Sequence, residues 1–134
     1  MKKLLILALD GVIDSSLTIT LDTLRTAQGF FERSGRRGGL QWSVVGSRKT
    51  ICTAGGLRAT AGCTVRELLA SGVSAEWLLV PGLDMTSRRA IDARLLRSDA
   101  RAAIELLRER RVAKRIAASC SSVFLLAEAG LLDG

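Results

Sequence analysis

Histidine and tyrosine are both missing from this 134-residue sequence, and proline occurs once. Without histidine, neither a Cys–His nor a Ser–His couple can be assembled within the chain, and the commonest nitrogen ligand for zinc is lost with it. A metal site is not expected, and no cofactor is implied. Cysteine is sparse as well. Cys52, Cys63 and Cys120 are odd in number, widely spaced and without a CxxC pair, which excludes a disulfide framework. No stretch approaches the ~20 apolar residues of a membrane-spanning helix. The opening Met-Lys-Lys-Leu-Leu-Ile-Leu-Ala-Leu has a short apolar run, is interrupted by Asp10 and leads to no small-residue cleavage site. A β-strand is therefore its reading, rather than a signal peptide, and the cytoplasm is the expected compartment.

What remains is a chain with 48% hydrophobic residues, which excludes disorder. At this length, folding buries roughly 65–70% of the unfolded surface. Leu4 to Leu9 is a continuous apolar run, as a parallel strand covered on both faces requires. Leu17, Leu21, Leu24, Ala27 and Phe31 then recur at helical spacing, with Ser15 or Ser16 as the expected cap and Ser34-Gly35 as the stop. Leu40–Val45 predicts a second strand. The Gly/Thr/Ala-rich stretch 51–64 predicts a small hairpin around Gly55-Gly56, and Val65–Ser71 a short helix. Trp77–Val80 predicts a third strand ended by Pro81-Gly82. Arg88–Arg97 reads as one helix, and Ala100, Ala103, Ile104 and Leu107 as the buried stripe of another, capped by Asp99. Alternating strands and helices predict a parallel three-layer α/β/α sandwich of flavodoxin-like winding, with ligands at the carboxyl ends of the strands.

The most informative stretch follows. Ile116–Ala118 fits a buried strand, Ser119-Cys120-Ser121-Ser122 crowds small residues around one thiol, and Val123, Leu126 and Ala127 resume helical spacing. A strand, a tight turn and a helix in succession present a nucleophile at the sheet end, where helix N–H groups favour a thiolate. The same spacing also fits a buried cysteine serving as a small hydrophobe.

The run Ala-Ser-Cys-Ser-Ser-Val-Phe-Leu-Leu-Ala-Glu-Ala-Gly-Leu-Leu-Asp-Gly at 118–134 resembles the elbow and following helix of the ThiJ/PfpI superfamily, which has the class I glutamine-amidotransferase-like fold. It is more closely similar to the version that forms the N-terminal sensor domain of AraC-type transcriptional regulators, and Ala-Glu-Ala-Gly-Leu-Leu-Asp-Gly is the specific part. The resemblance implies that residues 1–134 are about two thirds of one such domain, incomplete on its C-terminal side. It also implies a helix-turn-helix DNA-binding domain outside this chain.

Several expectations about the site follow from the resemblance. Asp10, Gly11, Ser16, Gly82, Leu83, Cys120 and Ser121 are its candidate ligand-binding residues, with Ser47, Arg48 and Asp84 beside them around one pocket. Val-Pro-Gly at 80–82 resembles the strand-end motif whose N–H groups, with that of Ser121, form an oxyanion hole in the enzymes. Where catalytic members carry an acid, alignment on Gly11 places Ser16, while Asp14 and Asp22 fall elsewhere. Where a glycine is usual two residues after the cysteine, Ser122 stands and is expected to narrow the space there. The implied function is therefore ligand sensing by a homodimer, with DNA contacted only through the absent domain. A cysteine-dependent glyoxalase, hydratase or peptidase-like enzyme is the alternative, and a redox sensor using Cys120 a third reading.

The net charge is +7, and ten basic against four acidic residues lie between Arg88 and Arg115. This segment lacks base-stacking aromatics and a helix-turn-helix pattern, so it is read as a solvated helix face. A strand order of 2-1-3-4 would leave the cysteine strand at the sheet edge, open to pairing with another chain. Phe124, Leu125, Leu131 and Leu132 would then be partly uncovered.

Overall fold

The computed structural model describes residues 1–133. In chain order, β1 (Lys2–Leu7), α1 (Asp14–Arg33) and β2 (Leu40–Gly46) are followed by a hairpin of β3 (Thr50–Cys52) and β4 (Arg58–Thr60). Next come β5 (Cys63–Thr64), α2 (Val65–Ser71), β6 (Ala75–Val80), α3 (Arg88–Leu95), α4 (Ser98–Arg108) and β7 (Ala113–Ala118). A 3-10 turn at Cys120–Ser122 opens into α5 (Val123–Glu128). The main sheet runs β5-β2-β1-β6-β7 and every pair in it is parallel. The four long strands thus have the order expected from sequence, with the two-residue β5 added beside β2.

β1 lies at the centre because it is apolar on both faces. Leu4 to Leu9 are all buried, and after the β1 ladder ends, Ala8 N–H still donates to Val45 C=O at 2.9 Å. The crossover from β1 to β2 runs one way along the sheet and those from β2 to β6 and from β6 to β7 run the other, so right-handed connections place α1 on one face and α2 and α4 on the other, where α4 packs on both α2 and α5. The fold is α/β, with a parallel central sheet flanked by helices. Among the described residues, no helix is long and apolar enough to cross a membrane.

α2 has the bounds read from sequence because local chemistry fixes both ends. Thr64 and Glu67 form a reciprocal capping box, and Gly72 ends the helix in the left-handed conformation. The two caps read from sequence are corrected. Ile13, not Ser15 or Ser16, precedes α1, and both serines lie inside the first turn, where the Ser16 hydroxyl has a different partner. Arg97, not Asp99, precedes α4, because the Asp99 carboxylate is held by Arg94 through two hydrogen bonds of 2.7 Å. α3 also ends two residues earlier than read, at Leu95. As expected, β7 forms a sheet edge, and Phe124 and Leu132 are exposed. Leu125 instead is fully buried, since α5 turns that side toward α4.

Candidate functional site

β7 ends in a backbone bend that only the folded chain reveals. Cys120 has φ +53°, the one non-glycine residue at positive φ among the described residues, and its side chain is exposed. A conformation of this kind costs about 1–3 kcal/mol and persists only where its surroundings hold it. The flanking serines provide that hold. Ser121 Oγ accepts the Leu83 N–H at 3.1 Å and donates to the Leu83 carbonyl. Ser122 is fully buried and donates to the Pro81 carbonyl. Ser122 therefore braces the elbow against the loop after β6.

That loop approaches the elbow closely. A Cβ at Gly82 would lie 3.2 Å from Cys120 Cβ and 3.3 Å from Ile13 Cδ1, tight contacts that would push on both. Ser16, from the first turn of α1, completes the contact: its Oγ accepts the Gly82 N–H at 2.9 Å and lies 3.1 Å from Ser119 Oγ. The Ile13 N–H donates to the Gly82 carbonyl at 2.8 Å. Ser16, Gly82, Leu83, Cys120 and Ser121 are thus brought together where the connections diverge between β1 and β6, the usual place for ligands in such sheets.

Asp10 and Gly11 relate to this cluster differently. Gly11, at φ +84°, accepts the Asp84 N–H at 2.9 Å and so joins the loops after β1 and β6 through backbone. The Asp10 carboxylate is directed elsewhere, to the Cys52 N–H at 2.8 Å and to Arg48 at 2.9 Å. With Ser47 and Arg48 it lines an open cleft of about 1180 Å³ between α2 and α4, which none of the other six candidate residues lines. The expected single pocket is therefore two regions. The hairpin and the loop after β1 account for the split, since Val12 bridges both Thr53 and Leu83.

No carboxylate is hydrogen-bonded to the thiol among the described residues. Asp14 is occupied by the hairpin: the Thr53 hydroxyl and the Gly55 N–H both donate to it, and these bonds hold its carboxyl below the ordinary 3.8. Asp22 forms an exposed pair with Arg25 at 3.4 Å. Ser16, expected from the resemblance in place of a catalytic acid, is a neutral hydroxyl engaged with Gly82.

Three contributors were not legible beforehand. Ser119 and Ile13 look like strand-end and connector residues, and nothing in their spacing marks them. Arg94 looks like one charge on a solvated face, yet it is buried, paired with Asp99, and donates to the Asp10 carbonyl at 3.0 Å. Burial works to raise the Asp99 pKa, but the Arg94 hydrogen bonds and charge outweigh it and leave the carboxyl below 3.8. Five residues apart and on different helices, the two have no sequence signature as a pair.

No protein-family model and no curated protein sequence matches the chain. Solved structures do resemble it. DJ-1 from Toxoplasma gondii, in its oxidized form, is 20% identical with a TM-score of 0.69, over 100% of this chain and 64% of that one. An AraC family transcriptional regulator from Pseudomonas putida is 18% identical with a TM-score of 0.72, over 99% of this chain and 63% of that one. A ThiJ/PfpI family protein from Pseudomonas syringae is 21% identical with a TM-score of 0.65, over 99% and 48% respectively. The structural neighbours are thus ThiJ/PfpI/DJ-1 superfamily proteins, AraC-family regulators among them, and this chain spans from about half to two thirds of the length of these three.

Proposed function

We propose that this chain is the ligand-sensing part of an AraC-type transcriptional regulator. It takes up a small metabolite beside Cys120 and passes the occupancy through a homodimer to a DNA-binding domain. One observation carries the reading: the Gly82 N–H, which would stabilise an oxyanion beside the thiol, is taken by the Ser16 hydroxyl, and no carboxylate accompanies Cys120. A positioned general acid or base is typically worth 10²–10⁴-fold, and the site has no such group. What it retains is a braced elbow with an exposed thiol, neighbouring hydroxyls and a sheet edge at β7. The likeness to the Pseudomonas putida regulator supports the same assignment.

The test is turnover. Methylglyoxal, an isonitrile and a generic peptide should all be consumed at background rates. Robust turnover that disappears in Cys120→Ala would overturn the sensor reading. It would favour the cysteine-dependent enzyme, which the exposed thiol at φ +53° supports as the second reading.

A further inference from the structure

In sequence, the positive charge seems to gather between Arg88 and Arg115, but the fold redistributes it. Parallel pairing brings all strand starts to one end of the sheet. Lys2 and Lys3 open β1, while Arg33 closes α1 and Arg36 and Arg37 lead into β2. Arg108 closes α4, Arg110 and Arg111 follow it, and Lys114 and Arg115 lie in the first half of β7. Beside these ten cations in the same strand starts and helix ends stand three carboxylates, Glu32, Glu76 and Glu109, while Arg108 reaches back to the Glu128 carbonyl at 3.0 Å. These thirteen residues sum to +7, and the rest of the sequence holds ten residues of each sign.

Nine of the ten are exposed, Lys3 being half-buried. The negative ends of helix dipoles favour cations in the last turn, but that accounts for only Arg33 and Arg108. The carboxylates neutralise little. Lys114 and Arg115 share Glu76, each at 2.9 Å, and Arg111 holds Glu109 at 3.1 Å. The surface also lacks the apolar centre on which protein partners usually anchor. Its exposed large hydrophobics are Met1 and Phe30, and Arg33 lies over the Phe30 ring at 4.9 Å. Seven of the ten are arginines, whose planar fork matches phosphate oxygens better than an ammonium does.

We propose that the amino end of the sheet is a docking surface for a nucleic-acid phosphate backbone, separate from the Cys120 region at the opposite end. Three strand spacings of ~4.8 Å carry the cations across about 14 Å from β2 to β7. With ~3.4 Å of duplex axis per phosphate on each strand, that width spans about four base-pair steps and their phosphates. Contacts of this kind position a duplex without reading its sequence. The domain therefore holds the duplex itself, in addition to any contact made by a DNA-binding domain outside the chain.

Fluorescence anisotropy of the 134-residue protein with a labelled duplex of roughly 20 base pairs and arbitrary sequence tests this. Log affinity should fall with log salt at a slope of about −4. The quadruple variant Arg36→Glu, Arg37→Glu, Arg110→Glu, Arg111→Glu should bind at least ~100-fold more weakly at low salt, and with a shallower slope. A control with the same charge change away from this end, Arg25→Glu, Arg58→Glu, Arg88→Glu, Arg89→Glu, should stay within about threefold, thermal melts confirming that both variants fold. No binding at low salt, or equal weakening of both variants, would overturn the proposal. So would polyglutamate displacing the duplex at equal charge concentration, which would assign the surface to an acidic protein. None of these outcomes depends on what Cys120 does.

Discussion

The two ends of the sheet are built on opposite principles. At the carboxyl end, side chains are used up on backbone: Ser16 on Gly82, Ser121 on Leu83, Ser122 on Pro81, Asp10 on Cys52 and Asp14 on Gly55. At the amino end, long cations stand in solvent, and side-chain bracing of the strand starts is confined to Gln28 on the Leu40 N–H and to Glu76 on Lys114 and Arg115. The first arrangement holds irregular loops and one strained residue in place, as a ligand site requires. The second keeps charge mobile and long-ranged, which serves encounter rather than fine recognition. Substitutions at the carboxyl end should therefore be read in stability, and those at the amino end in salt-dependent binding.

The sharpest way to break this contrast is at Arg94, which ties α3 to Asp99 and to the loop after β1. Arg94→Ala strips a half-buried carboxylate of its charged partner and should cost about 1.5–3 kcal/mol in denaturant unfolding. The pair also sets a pH signature. Because the Asp99 carboxyl lies below its ordinary 3.8 in the fold, its contribution is fully present above that value and is lost as pH falls through the folded one. The wild-type protein should shed this stability on the acid side below about pH 4, and Arg94→Ala should show no such loss from Asp99.

Next in size is Gly82→Ala. The added Cβ meets Cys120 and Ile13 at 3.2 and 3.3 Å, and shifting them should cost about 1–3 kcal/mol while changing Cys120 alkylation. Ser122→Ala leaves the Pro81 carbonyl without its buried donor, and thermal unfolding should register a loss of about 1–3 kcal/mol. If either change proves neutral, the elbow is not held by the loop after β6 and the contrast fails at its centre.

A smaller effect separates the thiols. Burial raises the Cys63 pKa, with Glu67 adding to it, whereas Cys120 is exposed. Iodoacetamide at neutral pH should therefore label Cys120 well before Cys63, as mass spectrometry of partially modified protein would register. Equal rates would mean that Cys120 is less accessible than its bend implies. The smallest effect belongs to the amino end, where Arg36→Glu or Arg110→Glu should move stability by no more than about 0.5 kcal/mol. A larger loss would show that these side chains brace the fold after all.

Periodicity and punctuation made the framework legible. The apolar run of β1, the alternation of strands with helices, the short helix Val65–Ser71 and the Pro81-Gly82 break depend on neighbours within a few residues, so sequence alone fixes their type and order. It also marked Cys120, because crowding small residues between a strand and a helix is a local pattern. The composition excluded a histidine-based couple for the same reason, since no arrangement of the chain supplies an absent side chain.

Tertiary structure decided the rest, wherever a residue's role depends on a partner far along the chain. Ser16 meets Gly82 across 66 positions, Ser122 meets Pro81 across 41, and Arg94 reaches the Asp10 carbonyl across 84. Such pairings leave no periodic trace, because a hydroxyl or guanidinium suits many environments and only the packed backbone selects one. Charge behaves likewise. The count of +7 was available from composition, but its gathering at one end follows from parallel strand pairing, which aligns every strand start whatever lies between them in sequence.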